Sequence, residues 1–101
     1  MSRLLHADEV TRQLGDLPGW QWDGAALRRS IELPTFRGAI HVVDEVAEIA
    51  EQMNHHPDVD IRWKTLRFVL STHSEGGVTQ LDVELAHRID EIAVDHGGTR
   101  D

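Results

Sequence analysis

The hydrophobic period of this chain changes twice, from two residues to 3.6 and back, and few folds accommodate that switch. Trp20 and Trp22 alternate with Gln21 and Asp23, Asp23-Gly24 offers a tight turn, and Leu27, Ile31 and Leu33 follow on even spacing before Pro34. Alternation of this kind places one face of a strand in a core and the other in water. From Thr35, the residues Phe36, Ala39, Ile40, Val43, Val46, Ala47, Ala50 and Met53 form one helical stripe, with Arg37, His41, Asp44, Glu45, Glu48 and Gln52 away from it. Val59, Ile61 and Trp63 then alternate with Asp60, Arg62 and Lys64, and after a short turn Leu66, Phe68 and Leu70 alternate with Arg67, Val69 and Ser71. This predicts a hairpin, a long helix and a second hairpin. The helix should stop near Asn54 or His55, because Pro57 disfavours helical backbone at the residue before it.

Shorter helical patterns flank this unit. His6 to Leu14 carries Ala7, Val10 and Leu14 on one side and is followed by Gly15 as a C-terminal cap. Thr79, followed three residues later by Asp82, has the form of a capping box, with Val78 and Val83 placed as its hydrophobic staple. Leu85, Ala86, Ile89, Ile92 and Ala93 then supply an inward stripe to about Asp95. Two hairpins with one apolar face need a cover, and amphipathic helices need something flat to cover. The expected fold is therefore α+β: a four-stranded, mainly antiparallel sheet with three helices on one face, in the order α-β-β-α-β-β-α. With 101 residues it is read as one domain, residues 1–101, of which about 96–101 form a loose tail. So small a sheet leaves an edge to be blunted or paired, which makes a homo-oligomer the expected assembly.

Composition narrows the chemistry. There is no cysteine, which removes thiol nucleophiles, redox dithiols and thiolate zinc sites. Ten basic against eighteen acidic side chains give a net charge of −8, and Lys64 is the sole lysine, so direct nucleic-acid binding is not expected. The six acids between Gly38 and Ile61 read as a solvated face. No apolar run exceeds three residues, so neither a membrane span nor a secretory signal is read, and the expected location is cytoplasmic.

Three of the seven histidines fall where elements end: His55 and His56 at the exit of the long helix, His73 after the fourth strand. Element ends are where a rigid scaffold presents side chains to a ligand. An imidazole titrates near about 6.5 and can give or take a proton at neutral pH, which suits general acid and base catalysis. Glu51 lies four residues before His55, the spacing of one helical face. Other readings stay open. The histidines can simply complement the helix dipole, or three of them can hold a catalytic zinc. His6, His41, His87 and His96 read as surface or packing residues, Trp63 as core, Asp82 as a capping residue and Gly76-Gly77 as an ordinary turn.

Taken together, Glu51-x-x-x-His55-His56-Pro57, Trp63, Ser71-Thr72-His73, Gly77, Thr79 and Asp82 resemble the pterin-4a-carbinolamine dehydratase family. Five residues separate Pro57 from Trp63, nine separate Trp63 from His73 and eight separate His73 from Asp82, as that family's pattern has them. Gly19-Trp20 and Phe36 also fall in register, so the resemblance spans roughly residues 3–95. It implies a lyase that removes water from 4a-hydroxytetrahydropterin, the product of a pterin-dependent aromatic amino acid hydroxylase, with no metal and no organic cofactor. On this resemblance His55, His56 and His73 would be the catalytic and pterin-contacting imidazoles. Glu51 and Asp82 would orient them or the substrate, and Pro57, Ser71 and Thr72 would line the ring. Members are commonly tetrameric, and animal members also serve as dimerisation partners of a homeodomain transcription factor, so a non-catalytic scaffold is the alternative of a different class. Leu81 stands where several members carry arginine and Val59 where some carry tryptophan. A polar contact to the pterin or its side chain that those residues would make is then either missing or supplied by Arg67 or Arg88, which bears on substrate preference more than on reaction type.

Overall fold

Several turns and caps in this chain are made by side chains with the chemistry those positions need. In the computed structural model, which describes residues 3–99, the elements are α1 (Ala7–Leu14), β1 (Gln21–Trp22), β2 (Leu27–Glu32), α2 (Phe36–Met53), β3 (Asp58–Arg62), β4 (Thr65–Leu70) and α3 (Gln80–Asp95). Asp23 builds the first hairpin turn by accepting at Oδ1 from the backbone N–H of Ala25 at 2.9 Å and of Ala26 at 2.8 Å. Thr35 caps α2 by accepting from Gly38 N–H at 2.9 Å. Thr79 and Asp82 form the capping box of α3, with Val78 and Val83 both buried beside it.

The four strands make one antiparallel sheet in the order β1-β2-β4-β3. The β2–β4 register pairs Leu27 with Leu70, Arg29 with Phe68 and Ile31 with Leu66, so these six residues share one face. All six are buried, together with Val42 and Val46 of α2 and Val83, Leu85 and Ile89 of α3. Arg28, Ser30, Glu32 and Arg67 lie exposed on the opposite face. The α+β fold and element order are those expected from the hydrophobic pattern.

The details depart from that pattern where helices meet helices. On α2 the buried residues are Ala39, Val42, Val46 and Ala50, while Phe36 is 50% exposed and Ala47 is exposed too. The stripe is rotated because α2 packs more extensively on α3 than on β4. Trp63 is not core: it occupies the two-residue loop between β3 and β4 with φ 56°, 73% exposed. Gly15 does follow α1, but in right-handed backbone with φ −58°.

The segment from residue 96, read as loose, is held against β2 through Thr99. Gly98 N–H donates to the Ala93 carbonyl at 2.7 Å, Thr99 N–H to the Glu32 carbonyl at 3.2 Å, and Arg29 Nη2 to the Thr99 carbonyl at 2.7 Å. Residues 100 and 101 lie outside the described residues. Among the described residues no helix is long and apolar enough to cross a membrane.

At the start of α1, Glu9 accepts from Arg3 Nη2 at 2.8 Å and from His6 N–H at 2.8 Å. The Arg3 hydrogen bond first, and the His6 backbone next, hold its carboxyl at about 2, below the usual 4.5. Since the folded value lies below the unfolded one, its contribution to the start of α1 is complete above 4.5 and is lost as the pH falls towards 2. Titration of the Glu9 carboxyl carbon by NMR should give a midpoint near about 2, and Arg3→Met should move it up towards the usual carboxylate range.

Candidate active site

The exit of α2 decides where its histidines go. Asn54 closes the helix in left-handed backbone, φ 51°, its N–H reaching the Ala50 and Glu51 carbonyls, and His55 N–H turns back to the Ala50 carbonyl at 3.0 Å. This reversal sends successive side chains in opposite directions. His55 is buried and its Nε2 lies 2.5 Å from Asp82 Oδ1, whereas His56 is exposed and its Nε2 lies 2.5 Å from Glu51 Oε2. Helical spacing alone would join Glu51 to His55; the left-handed turn gives Glu51 to His56 instead.

Asp82 is fully buried at the first turn of α3 and would be costly there without donors. It has three. Oδ1 takes His55, and Oδ2 accepts from Thr79 N–H at 2.9 Å and from the Thr72 hydroxyl at 2.8 Å. Thr72 Oγ1 also lies 2.8 Å from Thr79 Oγ1. One carboxylate thus gathers the exit of α2, the exit of β4 and the start of α3.

His73 is the next residue after Thr72 and begins a 3₁₀ turn, His73–Glu75, closed by Gly76 at φ 75°. Its side chain is exposed, as is that of Glu51, while Ser71 and Pro57 are half-buried. Thr72 is buried and spent internally: besides its hydroxyl, its N–H donates to the Gly77 carbonyl at 2.7 Å and its carbonyl accepts from Glu75 and Gly76 N–H at 3.0 Å each. A Cβ at Gly77 would come within 2.9 Å of Leu4 Cδ2, the end of an exposed side chain that is able to move aside. The junction therefore has a buried half, His55, Thr72, Thr79 and Asp82, and an exposed half that includes His56 and His73.

Two clefts lie elsewhere. One of about 530 Å³ runs along the C-terminal half of α3 past Arg29, His87, Asp90 and Thr99, and one of about 440 Å³ is lined by Arg28, Ser30, Asp58, Asp60 and Arg67 among others. Neither includes the three histidines. Among the described residues no three His, Asp or Glu side chains cluster as metal ligands.

A sequence model of the family described as pterin 4 alpha carbinolamine dehydratase matches residues 3–92. The chain belongs to that family. A relative from Mycobacterium tuberculosis (strain ATCC 25618 / H37Rv), named for the same family, is 53% identical over 89 residues, covering 88% of this chain and 95% of its own. One from Mycolicibacterium smegmatis (strain ATCC 700084 / mc(2)155), also so named, is 49% identical over 92 residues, covering 91% and 98%. Among solved structures, a transcriptional coactivator/pterin dehydratase from Brucella melitensis superposes with a TM-score of 0.85 at 36% identity, covering 88% of this chain and 97% of that one. A pterin dehydratase-like protein described as a RuBisCO assembly factor in the alpha-carboxysome reaches a TM-score of 0.64 at 18% identity, covering 74% and 89%, and shares the fold.

Some polar partners escaped sequence reasoning. Arg29 sits on the core face of β2, its side chain 3% exposed, and its Nη1 lies 2.9 Å from Asp90 Oδ1, which also accepts from Trp20 Nε1 at 2.9 Å. An arginine at an inward strand position was the available signal. His96 pairs with Glu45, and its ring centroid lies 6.2 Å from that of His41, so two histidines read as surface or packing residues approach each other between α2 and the end of α3.

The two carboxylate–imidazole pairs of this junction should differ sharply in stability. Asp82→Ala removes the acceptor of three buried or nearly buried donors and should cost about 3–5 kcal/mol in urea unfolding. The Glu51–His56 pair is 75% and 54% exposed, so Glu51→Ala should cost less than about 1 kcal/mol. Equal losses would contradict this division.

Proposed function

We propose that the protein removes water from a 4a-hydroxytetrahydropterin, giving the quinonoid dihydropterin, by histidine general acid/base catalysis. The C4a–oxygen bond breaks as a proton is delivered to the departing hydroxyl, and a ring nitrogen gives up its proton as the new double bond forms. Atoms and electrons balance with water as the only other product, so the step needs no oxidant or reductant, and the proposal assigns no metal or cofactor to it. Two or three imidazoles around a flat heterocycle suit this chemistry, because each can exchange a proton near neutral pH.

The observation that carries the reading is the His55–Asp82 pair, 2.5 Å long and buried, at the junction that His56 and His73 adjoin in sequence. Family membership supports the choice of substrate class. In this proposal His55, His56 and His73 exchange protons with the pterin or hold it, Glu51 orients His56 through their hydrogen bond, and Asp82 orients His55. Pro57 and Ser71, half-buried beside the histidines in sequence, contact the ring. The substrate would come from a pterin-dependent aromatic amino acid hydroxylase, in the cytoplasm.

The test is a spectroscopic assay of 4a-hydroxypterin dehydration by purified protein. His55→Ala and His73→Ala should each lower turnover by about 10² or more while the protein stays folded by circular dichroism. A folded wild-type protein without dehydration activity would discard the enzyme in favour of a scaffold.

We further propose that the protein self-associates through β3. Every residue of this edge strand is exposed. Its register places Val59 opposite Phe68 and Ile61 opposite Leu66, so both side chains share the core face yet remain 37% and 40% exposed. An edge strand with apolar side chains on its inner face is a site for pairing with a second copy. Light scattering after size exclusion should give an oligomer for the wild type and a monomer for Ile61→Lys; a monomeric wild type would overturn the assignment.

A further inference from the structure

The hydroxyls of Thr72 and Thr79 carry one hydrogen each, and that count fixes the direction of every bond in the buried network. Asp82 Oδ2 lies within hydrogen-bond distance of Thr79 N–H, a donor, and of Thr72 Oγ1, 2.8 Å away. An ionised carboxylate only accepts, so the Thr72 hydrogen points to Asp82. Thr72 then has no hydrogen left for Thr79, and the 2.8 Å contact between the two hydroxyls requires Thr79 to donate to Thr72. Thr79 Oγ1 is free to do so because its remaining role is to accept, from Leu81 N–H at 3.3 Å. The relay runs one way: Thr79 to Thr72 to Asp82.

The last member of the relay is an imidazole. An ionised Asp82 carries no hydrogen on Oδ1 either, so the hydrogen between Asp82 Oδ1 and His55 Nε2 sits on the imidazole, whose neutral form can donate from one nitrogen only. The geometry points to Thr72 and Thr79 as positioning residues which, through Asp82, hold His55 as the Nε2–H tautomer and leave Nδ1 as its proton-exchanging atom. Thr72 is then part of the machinery that sets a catalytic group rather than a substrate contact, which accords with its burial and with the internal use of its N–H and carbonyl. A carboxylate partner both orients such a ring and selects its tautomer, and the outer hydroxyls keep the carboxylate from rotating away. The identity of the group that meets Nδ1 rests on the dehydratase reading; the tautomer does not.

Two measurements separate these layers. Long-range ¹H–¹⁵N correlation spectra of the full chain, at a pH where His55 is neutral, should show its Nε2 protonated and its Nδ1 bare, whether or not the protein dehydrates pterins. Thr72→Val keeps the side-chain shape and removes the donor. It should lower kcat about tenfold with little change in KM and shift the His55 signals towards a mixture of tautomers. Thr72→Ser, which restores the hydroxyl, should recover both. A wild-type His55 found mainly as the Nδ1–H tautomer overturns the proposal directly, without requiring any variant to fold. So does a folded Thr72→Val protein with wild-type kcat and an unmixed tautomer, or a failure of Thr72→Ser to rescue. Loss of the dehydratase reading with the Nε2–H tautomer intact would appear instead as an inactive wild type with the expected spectrum.

Discussion

A single buried carboxylate, that of Asp82, sets the conditions for the rest of this molecule. It cannot remain charged out of water without donors, and those it has come from three different elements. Satisfying it draws the end of α2, the end of β4 and the first turn of α3 to one point. The same residue closes the capping box of α3, so helix initiation and orientation of an imidazole are met by one side chain. Through this coupling the cap that starts the last helix is also the anchor of the polar site.

The core obeys a simpler constraint. Six inward residues of β2 and β4 meet the apolar sides of α2 and α3, and the one charged member, Arg29, is neutralised by Asp90 and bonded to backbone carbonyls at Pro18 and Thr99. That arrangement ties the loop before β1 and the C-terminal segment to the sheet. Cover by helices is incomplete at β3, where Val59 and Ile61 lie on the inward face yet remain 37% and 40% exposed. An edge strand left so open is the feature of the surface most in need of a partner.

Much of the fold was legible because its signals are local. Period-two and period-3.6 segments marked the strands and helices, and Asp23-Gly24 and Thr79 with Asp82 marked a turn and a cap that each depend on residues at most three apart. The rotation of α2, with Val42 inside and Phe36 outside, was not legible, because the buried side of a helix with two neighbours depends on the angle at which it meets the second. Trp63 misled for a related reason: its apolar ring continues the strand pattern, but the chain must reverse there. For the candidate residues, the pairing of side chains could not be read from the sequence. Glu51 and His55 have helical spacing, yet one left-handed residue, Asn54, exchanges their partners.

The sequence by itself determined the order of elements, the one-sided sheet and the identity of the polar residues at its open end, because hydrophobic period and capping chemistry act over a few neighbouring positions. Tertiary structure alone decided that His55 turns inward to Asp82, that Arg29 is buried against Asp90, and that Thr99 returns to β2. Those contacts join residues up to 70 positions apart. They form only when separate elements bring a donor and an acceptor together out of water, and no short-range pattern in a chain encodes that meeting.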